Sequence, residues 1–197
     1  MLIDTHCHLD AAEFDADREA VLGAARAAGV GGFLVPAVGA CNFDAVAALS
    51  AANPDCRHAF GIHPMYVGQA RESDLDLLRE RLAVGSAVAV GEIGLDGFVQ
   101  DGSLPLQLRY FEAQLRLARE FELPVVLHIR RAQDEILKLL RRIRPPGGIA
   151  HAFNGSLQQA EAFIKLGFRL GFGGAMTYSG SRRIRQLAAE LPLSSIV

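Results

Sequence analysis

Residues 3–8 read Ile3-Asp4-Thr5-His6-Cys7-His8, a short apolar start that closes on two histidines. Positions two apart on a strand project to the same face, so His6 and His8 point together while Cys7 points away. The pattern recurs along the chain. Ala87-Val88-Ala89-Val90 runs into Gly91-Glu92, Pro124-Val125-Val126-Leu127 into His128, and Ile149-Ala150 into His151. Amphipathic stretches lie between these runs; Leu108, Phe111, Leu115 and Ala118, spaced by three and four, make the clearest helical stripe. Strands alternating with crossover helices imply a parallel sheet, and near-continuous apolar strands imply burial on both faces.

The same reading, carried through the chain, predicts strands over Leu2–His8, Gly32–Val35, His58–Ile62, Ala87–Val90, Pro124–Leu127, Ile149–Ala150 and Phe168–Phe172. Helices are expected near Asp15–Ala28 (closed by Gly29), Phe43–Ala51, Ser73–Leu82 and Ala132–Ile143, then from Ser156 and over Ile184–Glu190. Ser194-Ser195-Ile196-Val197 reads as the opening of an eighth strand. The expected fold is α/β, a TIM-type (β/α)8 barrel forming one domain over residues 1–197 and running out inside its eighth strand. Its 197 residues fall short of the ~250 typical of that fold. No GxGxxG follows the first strand, so a dinucleotide fold is not indicated.

At 50% hydrophobic, the chain has enough apolar material for a full core. Its net charge of -2 argues against coating nucleic acid by bulk attraction, so any phosphate binding must be local. Cys7, Cys41 and Cys56 are isolated and odd in number, which reads as reduced thiols in a cytoplasmic protein. No apolar stretch approaches the ~20 residues that cross a bilayer, so no membrane is expected as a partner.

Imidazoles and a carboxylate at neighbouring strand ends form a donor set for divalent metal, which activates water. Glu92, just after an apolar strand, is costly to bury unless paired or metal-bound. C-terminal strand ends carry the chemistry in barrel enzymes. His63 either donates to a phosphate oxygen or leaving group, or braces the loop before Pro64. Arg130, two residues beyond His128, is a candidate phosphate clamp or a partner for a rim carboxylate. Asn154-Gly155-Ser156 opens a helix and offers N–H groups and a hydroxyl to an anion, or merely a cap. Arg182, Arg183 and Arg185 occupy a first helical turn, where the macrodipole disfavours cations; they mark a phosphate track or a solvated surface. Asp96 is expected to orient a loop or a ligand.

Thr5-His6-Cys7-His8, Gly61-Ile62-His63-Pro64, Gly91-Glu92-Ile93-Gly94-Leu95-Asp96, Leu123 to Arg130 and His151-Ala152-Phe153-Asn154-Gly155-Ser156 together resemble the TatD family of metal-dependent deoxyribonucleases. The resemblance spans nearly the whole chain. It implies two divalent ions (zinc, manganese or magnesium), one held by His6 and His8, a second by His128 and His151, with Glu92 bridging them and catalytic. DNA or another phosphodiester is the implied substrate; the oligomeric state is left open. Two departures stand out: Gly97 where the family often has an aromatic, and Arg131 where it often has Asp. The family also carries, at the end of its eighth strand, an Asp that is metal ligand and general base, and this sequence ends before it. The resemblance therefore also implies a weakened His6–His8 site. The rival readings are an ester or amide hydrolase, acting on small molecules or aminoacyl-tRNA with the same metals, and a metal-binding remnant of little activity.

Overall fold

The computed structural model describes residues 1–99 and 103–197. Along it run β1 Leu2–Asp4, α1 Arg18–Ala27, β2 Val30–Pro36, α2 Phe43–Ala52, β3 Cys56–Phe60, α3 Glu72–Ala83 and β4 Ala89–Asp96. There follow α4 Leu104–Glu120, β5 Val125–Arg130, α5 Gln133–Ile143, β6 Gly148–Ala150, α6 Leu157–Lys165, β7 Phe168–Leu170 and α7 Arg182–Glu190. The strands pair in parallel and in chain order, from β1 to β7.

The sheet is rolled. Five strand spacings separate β1 from β6, about 24 Å in a flat sheet. Yet His6 after β1 and His151 after β6 stack with ring centroids 3.6 Å apart. Residue size on the two faces follows from that curvature. Phe33, Val35, Phe60, Val90, Val125 and Leu127 pack outward into the helical layer. Ala59, Ala89 and Val126, with Leu34, form a small separate cluster. On β5 the alternation puts Val126, His128 and Arg130 on one face, Val125, Leu127 and Ile129 on the other.

Several element bounds differ from expectation for local reasons. β1 ends at Asp4, because the Asp4 carboxylate accepts from the His6 N–H at 3.1 Å and turns the chain. α1 begins at Arg18 rather than Asp15; the Arg18 guanidinium donates to the carbonyls of Leu9 and Ala11 and ties the preceding segment into turns. β4 does not stop before Glu92 but passes through it to Asp96, fully buried throughout. Its register against β5 shifts between Val90 and Ile93, and there the Glu92 N–H turns instead to the Ala37 carbonyl at 2.9 Å. Gly94 makes the second half possible: at φ +150, any Cβ would sit 2.0 Å from the His128 carbonyl oxygen. At the other end, Leu193–Ser195 is a 3-10 turn, and only Ile196 bridges Leu170 beside β7. No helix among the described residues is long and apolar enough to cross a membrane.

Two buried glutamines on α4 fix the strand ends beneath the site. Gln114, 0% exposed, accepts from the Ile62 N–H at 2.6 Å and donates to the Ile62 carbonyl at 3.0 Å. Gln107, seven residues earlier and 1% exposed, does the same for Asp96 at 2.8 and 3.3 Å. Both strand-end peptides are thereby satisfied where no neighbouring ladder serves them. Replacing Gln114 by Leu leaves two buried backbone groups unpaired, and each costs about 1–3 kcal/mol. Gln114→Leu is therefore expected to lower unfolding free energy by roughly 2–6 kcal/mol. Urea titration measures it, and a loss below the usual scatter of surface substitutions would contradict this role.

Candidate metal centre

Glu92 stands at the centre, 2% exposed. Its Oε2 lies 3.0 Å from His6 Nε2 and 3.4 Å from His8 Nε2. Its Oε1 lies 3.1 Å from His128 Nδ1 and 3.5 Å from His63 Nε2. The period-two pairing of His6 with His8 survives the early end of β1, for their Nε2 atoms face each other at 3.2 Å. Two trios of donor atoms result, each within 4.8 Å: His6, His8 and Glu92, and His63, Glu92 and His128. His151 enters the cavity wall with its ring on His6, but the imidazole crowding Glu92 beside His128 is His63.

Hydrogen bonds fix which ring nitrogens carry protons. His128 Nε2 faces the buried Asp96 carboxylate at 3.1 Å and donates its proton there, while Nδ1 lies 3.1 Å from Glu92, donating to it in the protonated ring and offering a lone pair to a cation in the neutral one. His63 is set the opposite way. Its Nδ1 accepts the Met65 N–H at 3.1 Å, so in the neutral ring Nε2 carries the proton and aims it into the centre. His63 is thus a donor toward the cavity, whereas the neutral His128 ring leaves Nδ1 available to a cation.

Titration follows the same geometry. Burial alone would raise the Glu92 carboxyl, but hydrogen bonds from His128, His6, His63 and His8 outweigh it and hold the group well below the ordinary carboxylate range. His8 is raised by its hydrogen bond to Glu92. His151 is pushed down to about 4, first by burial and then by the field of His6, so it is neutral with a free lone pair near pH 7. Burial likewise lowers His63. One strain remains: His6 Nδ1 is buried without a hydrogen-bond partner. Imidazole nitrogens lying 3.0–3.5 Å from a buried carboxylate form a donor set that fits a hard or borderline divalent cation.

Above the centre opens a cavity of about 1040 Å³ whose wall includes Arg130, Asn154 and Arg183. Arg183 donates to Asn154 Oδ1 at 2.6 Å, tying the start of α7 to the loop after β6. Ser156 and Arg182 lie outside that wall. The Ser156 hydroxyl accepts the Gln159 N–H and closes a capping box on α6, and Arg182 is exposed. Arg185 is structural, donating to the carbonyls of Met176, Tyr178 and Ser179. Phe98, Arg131 and Gln159 also line the cavity and were not singled out as site residues from sequence. Arg131 carried a signal, as a departure from a motif; Gln159 carried none.

A family model described as TatD related DNase matches residues 3–197. The chain is 43% identical over 198 residues to the uncharacterized metal-dependent hydrolase YjjV of Escherichia coli K12, covering 99% of this chain and 76% of that protein. It is 34% identical over 196 residues to the 3'-5' ssDNA/RNA exonuclease TatD of a Pantoea species, covering 98% and 74%. The crystal structure of E. coli YjjV superposes with a TM-score of 0.95 at 42% identity, over 100% of this chain and 77% of that one.

Asp96 offers a test of the proton assignment. In Asp96→Asn, an amide N–H facing His128 Nε2 would drive the imidazole proton onto Nδ1 and block its lone pair. Affinity for zinc or manganese should fall about 10–100-fold, as calorimetric titration would measure. An unchanged affinity would show that Asp96 does not set the His128 tautomer.

Proposed function

Because the chain belongs to the TatD family of metal-dependent hydrolases, we propose that it cleaves phosphodiester bonds of DNA with a metal-activated water. The observation that carries this reading is a buried carboxylate ringed by imidazoles at the floor of a cavity with arginines on its wall. His6, His8 and Glu92 would hold one divalent ion, and Glu92, His128 and His151 a second. Such ions polarise a phosphoryl oxygen and lower the pKa of water. Nitrogen and carboxylate donors favour zinc or manganese, with magnesium the harder alternative.

The chain's own residues do the rest. Glu92 offers one oxygen to each side, so it sets the spacing of the two halves. His63 points Nε2–H into the cavity, where it donates a hydrogen bond to a phosphate oxygen or to the leaving oxygen and stabilises the negative charge that develops there. Arg130 and Arg183 present guanidinium groups to the phosphate, and Asn154 fixes the Arg183 rotamer. Asp96 keeps His128 in its ligating tautomer. Some relatives carry the name of a 3'-5' ssDNA/RNA exonuclease, which supports a nucleic-acid strand as substrate.

Cleavage of labelled DNA should disappear with chelator and return on adding metal. Glu92→Gln and His63→Ala should each cost on the order of a hundredfold or more in kcat, and Arg183→Ala about tenfold in kcat/KM. Equal cleavage with and without chelator would refute the mechanism. Turnover of ester or amide substrates alone, in a parallel panel that includes aminoacyl-tRNA, would replace the nuclease reading with the rival hydrolase.

A further inference from the structure

We propose that Arg131, stacked together with Arg130 on Phe98, clamps the phosphate next to the scissile one, so that the site prefers a single-stranded oligonucleotide to an isolated phosphodiester. This rests on the nuclease reading above and adds a specificity determinant to it.

The two departures from the family motif, Gly97 and Arg131, touch each other. A Cβ at position 97 would lie 2.6 Å from the Arg131 carbonyl oxygen. The Gly97 N–H donates to the Arg130 carbonyl at 2.7 Å, closing the two rims together. No side chain fits at 97 while the loop after β5 runs this way, and the aromatic sits one position on, at Phe98. Its backbone N–H is held by Asp96 Oδ1 at 2.9 Å, and its ring is 46% exposed.

On that ring rest two guanidinium groups, Arg130 at 3.9 Å and Arg131 at 4.7 Å from the centroid. The ring quadrupole attracts both cations and holds them at one aromatic side chain despite their mutual repulsion. Arg131 adopts φ +53, a left-handed conformation that disfavours residues with a Cβ. A guanidinium thus stands where the backbone alone favours glycine. The nearest carboxylate to Arg130 is Asp96, at 3.9 Å and already engaged by His128. Among the described residues lining the cavity, three arginines face one carboxylate, Glu92, at the floor. On a chain of net charge -2 this cationic rim is local, as recognition of successive phosphates requires. Arg130, on the His128 face of β5, is the nearer to the centre in sequence, and Arg131 the next outward. Phe98 is a positioning residue that acts through both.

Binding of a fluorescein-labelled single-stranded oligonucleotide in chelator isolates the clamp from catalysis. Arg131→Gly should weaken Kd on the order of tenfold and reduce the slope of log Kd against log salt by about 0.7, the value for one phosphate on a single strand. The same variant should raise Tm by a few degrees, because glycine suits the left-handed backbone. Phe98→Leu, which keeps an apolar side chain without the quadrupole, should weaken Kd similarly. With metal, Arg131→Gly should raise KM for the oligonucleotide while leaving kcat/KM for bis(p-nitrophenyl) phosphate within about twofold, whereas Phe98→Leu, which also frees Arg130, should lower turnover of both substrates. Unchanged Kd in Arg131→Gly, or an equal loss on both substrates in that variant, would overturn the clamp. Wild-type protein that binds the oligonucleotide through Arg131 yet cleaves no DNA would overturn the nuclease reading instead, and cleavage indifferent to both variants would overturn the clamp alone.

Discussion

A single carboxylate governs this end of the molecule. An ionised Glu92 removed from water would be prohibitive by itself, since stripping such a group of solvent costs several kcal/mol even after relaxation. Four imidazoles make it tolerable, and they arrive from the ends of β1 and β5 and from the loop after β3. Those elements lie on different sides of a rolled sheet. The curl of the sheet and the ionisation of Glu92 are therefore mutually dependent: without the curl the carboxylate has no partners, and without the carboxylate the imidazoles have no common centre. Asp96 repeats the logic one step outward, for it too is buried and answers to His128 and to the backbone N–H of Phe98.

The periodicities of the sequence carry the strands and helices because burial repeats: period two on β5, three and four on α4. The strand-end histidines were legible for the same reason. A residue that closes an apolar parallel strand has nowhere to point but the barrel rim or interior. What escaped sequence reasoning depends on single long-range hydrogen bonds. The Asp4 carboxylate ends β1 early by capturing a local N–H. Glu92 is carried inside β4 by a register shift that only the opposing strands reveal. The proton on His63 is directed by the Met65 amide, two residues away yet invisible to any pattern of residue types. Ser156 and the arginines of α7 show the converse, since one sequence signal divides into a cap, a cavity residue, a solvent-exposed cation and a structural brace.

The cavity is electrostatically layered. Negative charge lies deepest, neutral or shared-proton imidazoles surround it, and guanidinium groups occupy the wall. A divalent cation is favoured at the floor and an anion at the rim, so the two attractions act at different depths and do not compete. Because the chain as a whole is slightly acidic, the attraction of the rim is short in range and weakens as salt rises.

Helix α4 has a further consequence for the centre. Gln107 and Gln114 are separated by seven residues, about 10.5 Å of helical rise. One grips the backbone at Asp96 and the other the backbone at Ile62, immediately before His63. The helix thus acts as a gauge block laid across two strands, and its pitch, more than the sheet ladder, measures the offset between the anchor of His128 and the hydrogen-bond donor His63. One residue inserted between the glutamines would swing the second about 100° off its target and shift it 1.5 Å along the axis. Drift in length within this helix is therefore barred by the chemistry at the very strand ends it grips.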